Sequence, residues 1–105
     1  YRRFTMEIRQ TEEFSRWLEG LRDLRARAKV QARIERIRGG NPGDIKTIRE
    51  GIYELRITYG PGYRVYLLQQ HQSLTILLAG GDKSSQSTDI KKSIALATSL
   101  DQTVH

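Results

Sequence analysis

Three cations stand where a hairpin and a following loop can bring them together: Arg56, Arg64 and Lys83. Residues 52–59 and 63–69 alternate apolar and polar side chains on either side of Gly60-Pro61-Gly62, the pattern of a β-hairpin with one buried face. With Tyr59 and Tyr63 flanking the turn as a pair, Thr58 faces Arg64 and Arg56 faces Tyr66. Residues two apart share a face. One face then holds Tyr53, Leu55, Ile57, Val65 and Leu67, the core side, and the other holds Glu54, Arg56, Thr58, Arg64 and Tyr66. Arg56 and Arg64 become diagonal neighbours within reach of one anion. The next strand returns toward the Gly-Pro-Gly end, so the loop Gly80–Lys83 emerges beside Arg64 and Lys83 can join the pair.

Cations converging on a sheet face suit phosphoryl chemistry. RNA cleaves itself when a 2′-hydroxyl attacks the neighbouring phosphate, and a protein assists by fixing the in-line geometry and stabilising charge on the pentavalent phosphorus. Arg56 and Arg64 supply that charge, and Tyr66 can orient a base or a phosphate. Proton transfer needs a further group, with Lys83, an arginine-flanked tyrosine and Glu54 as candidates. A purely structural reading competes: Glu54 forms an ion pair with Arg56 or Arg64 across an exposed sheet face. His71, the only internal histidine, falls in the turn at the far end of the strands and reads as a surface loop residue. The chain has no cysteine and only one other histidine, His105 at its end, which excludes thiolate and histidine-rich metal sites, and no cofactor is expected. Gly60-Pro61-Gly62 and Gly80-Gly81 match neither phosphate-cradling spacing and read as turn glycines.

The elements that must position these residues follow from periodicity. Phe4–Gln10 alternates as a half-buried strand, with Met6 a candidate first residue. Thr11 reads as an N-cap with Glu12 and Glu13 in the first turn, and Phe14, Trp17, Leu18 and Leu21 form the apolar stripe of a helix that Gly20 weakens. A second helix spans about Leu24–Arg38, burying Ala26, Val30, Ile34 and Ile37 and presenting Arg25, Arg27, Lys29, Arg33 and Arg36. Gly39–Gly43 ends it. Strands begin from Ile45, Leu74–Ala79 is an apolar run suited to a central strand covered on both faces, and a short C-terminal helix starts near Ser87. The expected architecture is one α+β domain over residues 1–105: an antiparallel sheet, two N-terminal helices and a short C-terminal helix, with the helices on one sheet face.

Charge adds a class of partner. Eighteen basic against twelve acidic residues leave +6, and 11 of the basic groups fall within residues 1–38. Such a surface concentrates polyanions, and arginine recognises phosphate through two donors at once. Arg25, Lys29, Arg33, Arg36 and Lys46 are the candidate RNA contacts; a solvated helix face or an acidic protein partner is the alternative. No apolar run approaches a membrane span, and no signal-peptide pattern opens the chain, so a cytoplasmic protein is expected.

Gly51-Ile-Tyr-Glu-Leu-Arg-Ile57, Gly60-Pro-Gly-Tyr-Arg-Val-Tyr66 and Gly80-Gly-Asp-Lys-Ser-Ser-Gln86 with Asp89-Ile90 resemble the phage-derived HigB-like killer proteins of the RelE/ParE toxin superfamily. Phe14-x-x-Trp-Leu18, Arg33-Ile-x-Arg-Ile37 and Gly39–Asp44 extend the resemblance over residues 4–98. It implies a RelE-like fold and the toxin of a type II toxin–antitoxin pair, an mRNA interferase that cuts messages without metal, often on the ribosome. It implies a cognate antitoxin, in HigB-like pairs often a HigA-like helix-turn-helix protein. It also carries over Arg56, Arg64 and Lys83 as the functional cations; Tyr66 and Glu54 stand as secondary candidates from the sheet-face reading alone. Between Asp89 and the final His105 there is neither the histidine nor the tyrosine that several RelE-type nucleases use near the C-terminus for proton transfer. ParE-like members instead poison DNA gyrase, and a relative that only binds antitoxin or nucleic acid is the third possibility.

Overall fold

The computed structural model describes residues 7–71 and 73–103, the last three through their backbone alone. Strand β1 covers Glu7–Gln10; the expected extension to Phe4 lies outside the described residues, as does His105. Thr11 caps α1 (Glu12–Glu19): its hydroxyl accepts from the Phe14 amide at 3.0 Å and donates to the Leu78 carbonyl at 2.7 Å. Gly20 ends that helix rather than weakening its interior. Asp23 caps α2 (Leu24–Arg38), the span expected from the sequence. Strands β2 (Ile45–Arg49), β3 (Ile52–Ile57), β4 (Tyr63–Gln70) and β5 (Leu74–Asp82) follow, then a single 3-10 turn, Lys83–Ser85, and α3 (Gln86–Thr103). The separate edge strand β2 is one strand more than the alternation revealed.

The sheet runs β1-β5-β4-β3-β2, antiparallel except that β1 lies parallel to β5. This α+β arrangement is consistent with a RelE-like fold. The interior strand β5, between β1 and β4, is covered on both faces, as its apolar run implied. Phe14, Val30, Ile34 and Ile37 from the first two helices pack on Leu55, Ile57, Val65, Leu67 and Leu77. Ala97 of α3 packs with Ile52, Leu68 and Leu78 on the other face. Leu77 and Leu78 serve opposite cores because successive strand residues point to opposite faces, and a register shift between Tyr66 and Leu67 leaves Leu78 without a partner in β4.

Three expectations are corrected here. The helices do not share one face, and the C-terminal helix is not short: α3 has 18 residues and covers the side that carries Glu54 and Tyr66. Gly80 and Gly81 are not turn glycines but lie within β5, without positive φ. A Cβ at Gly80 would collide with the Trp17 indole and one at Gly81 with the Asp89 carboxylate, so each is bare because a helix presses on it from its own side.

Candidate functional site

The hairpin turn is wider than a Tyr59–Tyr63 pair implies. Ile57 pairs with Tyr63, so Arg56 stands directly opposite Arg64 and Glu54 opposite Tyr66. The register differs from expectation by two residues, which preserves parity, so every side chain keeps its expected face. Gly62, at φ +81°, makes the turn possible, and the Tyr59 carbonyl accepts from its amide at 3.0 Å.

Like charges directly opposite one another destabilise a sheet. Glu54 answers this from beneath. Its side chain has no exposed surface, whereas the Arg56 and Arg64 side chains keep 36% and 13%. Its carboxylate accepts from Arg56 Nε at 3.0 Å, the Tyr66 hydroxyl at 2.9 Å and Gln86 Nε2 at 2.8 Å, with Arg64 Nε 3.6 Å away. Burial alone would raise the Glu54 carboxyl, but the bonds from Gln86, Arg56 and Tyr66 and the Arg56 charge outweigh it and hold it below the usual range. Tyr66 moves the other way: burial first, then the bond to Glu54, raises its phenol far above the ordinary tyrosine value. Both residues are therefore buried supports of the arginines, which corrects their assignment as groups that meet a substrate. The ion pair exists, but under α3 instead of on an exposed face.

One carboxylate cannot neutralise two guanidinium groups, and the surplus charge faces an opening. A cleft of about 260 Å³ is lined by Arg56, Arg64, Lys83, Asp44, Tyr59 and Tyr63 among others. Arg64 Nη1 donates to the Gly62 carbonyl at 2.9 Å, while its buried Nε has no hydrogen-bond partner among the described residues. Lys83 enters through the turn after β5, where Asp82 accepts from the Ser84 amide at 2.8 Å. The Ser84 hydroxyl bond to Asp82, with its backbone bonds, holds the Asp82 carboxyl below the usual range. Arg64 pairs with Gly81 across β4 and β5, and this brings Lys83 to the arginines.

Sequence reasoning missed Asp44, Gln86 and the part played by Arg33. Arg33 donates to the carbonyls of Arg56, Pro42 and Asp44, the last two at 2.9 and 3.2 Å, and the Asp44 carbonyl also accepts from the Arg56 amide at 2.9 Å. That commitment corrects Arg33 as a free RNA contact: it is a strut between α2 and β3. Desolvation, then the neighbouring Arg36 charge, lowers its pKa. Arg25, Lys29 and Arg36 remain exposed, whereas Lys46 sits opposite Glu54 on the sheet face away from α2, so these four do not form one surface. Gln86 belongs to the Gly80–Gln86 run, and a polar residue kept in such a run was its only signal. His71 is exposed beyond the far end of β4 and has no part in the cleft.

Residues 16–100 match the family described as phage derived protein Gp49-like (DUF891). The chain belongs to that family. A relative of this chain is an uncharacterized protein of Haemophilus influenzae, 54% identical over 96 residues that cover 91% of this chain and 97% of the relative. No solved structure matches the chain. The family match spans both arginines, the Glu54 support and the Lys83 turn, so the whole cleft lies within the Gp49-like region. No helix among the described residues is long and apolar enough to cross a membrane.

Proposed function

We propose that this Gp49-like protein is the toxin of a type II toxin–antitoxin pair and acts as an endoribonuclease on messenger RNA. The carrying observation is the cleft in which Arg56, Arg64 and Lys83 converge over a buried carboxylate that neutralises only one of them. A sheet tolerates opposed arginines at a cost, and an anion in the cleft repays it.

In the reaction the 2′-oxygen attacks phosphorus, the bond to the 5′-oxygen breaks, and the arginines hold the charge on the non-bridging oxygens. Glu54 and Tyr66 do not transfer the proton from their buried positions. Tyr59 is bound at 3.0 Å to Asp23, a bond that raises its pKa and keeps it a phenol. Asp44, the carboxylate lining the cleft, takes the proton of the 2′-hydroxyl, and Lys83 gives one to the departing 5′-oxygen. The products are a 2′,3′-cyclic phosphate and a 5′-hydroxyl. Purified protein incubated with RNA and a chelator should generate those ends, with Asp44→Asn and Lys83→Met each slowing cleavage by about 10²-fold. Intact RNA together with loss of gyrase activity would replace this reading with the gyrase one. The cognate partner is an antitoxin, of HigA-like type by the sequence resemblance, and ribosome-bound message is the natural substrate.

A further inference from the structure

Beside the cleft lies a second opening of about 410 Å³, bounded by Lys29, Ala32, Arg33 and Arg36 of α2 and by Arg56, Ile57 and Thr58 of the hairpin. It is within the roughly 300–1,000 Å³ range of small-ligand sites. The two openings share Asp44, Arg56, Ile57 and Thr58, so they are halves of one groove. Resting on the ribonuclease reading, we infer that this second half is a subsite for the nucleotide next to the scissile phosphate, with Lys29 and Arg36 taking that nucleotide's own phosphate.

Three features favour single-stranded RNA as the occupant. The groove is amphipathic as a nucleotide is: the exposed Ala32 offers apolar surface to a base, and the exposed Lys29 and Arg36 offer charge to a phosphate. Its walls are fixed before anything binds, because Arg33 bonds to the carbonyls of Arg56, Pro42 and Asp44 and so ties α2 to the hairpin. Lys29 is pre-placed at the junction, its ammonium 5.1 Å from the centre of the Tyr59 ring, and Tyr59 itself lines the cleft. An acidic protein segment would find the charge but has no reason to continue into the cleft; a chain with one phosphate per residue does.

The test compares binding of two uncleavable probes, a 2′-O-methyl hexanucleotide and a 2′-O-methyl dinucleotide with a single phosphodiester. Lys29→Ala/Arg36→Ala should weaken hexanucleotide binding by about tenfold or more and reduce its salt slope by roughly 0.7 for each lost phosphate contact. Dinucleotide binding should stay unchanged. Both side chains are exposed, so an unaltered thermal melt will confirm the fold. Equal affinity and slope for wild type and variant overturns the subsite, as does an equal loss for both probes. A variant that binds RNA normally but loses an acidic antitoxin peptide assigns the groove to protein instead. If the wild type binds these probes with the expected contrast yet never cleaves RNA, the ribonuclease reading falls and the groove stands.

Discussion

Glu54 meets two arginines, a phenol and an amide at a position with no exposed surface, so its ionisation is linked to folding. Its folded pKa is depressed. The stabilisation is therefore complete above the ordinary glutamate value of about 4.3 and fades as pH falls through the lower folded one. Glu54→Gln should cost about 3 kcal/mol at pH 7, the lower end for a broken buried pair because Arg56 is partly exposed. Denaturant melts at pH 7 and near pH 3 check this: the gap between wild type and variant should shrink in acid, and a constant gap would contradict the linkage. This role was only half legible in the sequence. Alternation set Glu54 on one face with two arginines, but burial under α3 is a tertiary fact that no local pattern records.

The elements carry predictions of their own. β5 passes between α1 and α3, and Gly80 gives the Trp17 indole its seat. Gly80→Ala should destabilise by about 1–3 kcal/mol through overpacking, and adding Trp17→Leu should recover part of the loss in the same thermal melts. If Gly80→Ala alone is neutral, the glycine is there for another reason. The strut tests the link between α2 and the hairpin. Arg33→Met removes donors to three carbonyls, leaves them part-buried and lets Arg56 shift; kcat for RNA cleavage should fall while Arg25→Ala, on an exposed residue, leaves it unchanged. Both N-terminal helices were legible because their apolar stripes repeat at 3.6 residues, and the first also showed its cap, Thr11; the Asp23 cap of the second was not singled out. The face that α3 covers was not: Ile94, Ala97 and Leu100 fit a helix against either side, and only the sheet decides. The register slipped because Thr58 joins the turn with Tyr59, and turn width is not written in the alternation itself.

Across the whole molecule, α1 on one sheet face and α3 on the other meet at the end of β5 where Lys83 emerges. A Lys92–Glu13 bridge of 3.0 Å joins α3 to α1 there, on exposed side chains where it contributes little. The excess charge of +6 is concentrated on the sequence before residue 39, so RNA affinity should fall linearly with salt on logarithmic axes, and a flat response would remove phosphate contacts from the account. The basic side of α2 was legible as a pattern, but Arg33 dropping inward could not be read from spacing that treats all outward arginines alike. The central claim is that the cation cleft cuts messages. Arg64→Ala is suited to test it, because Glu54 keeps its bonds from Arg56, Tyr66 and Gln86 when Arg64 is gone. Induced expression in a bacterial host, with mRNA 5′ ends mapped minutes later, should show new cuts within coding regions for the wild type and none for a folded Arg64→Ala protein. Arrested growth with intact messages, or cuts that persist without Arg64, would contradict it.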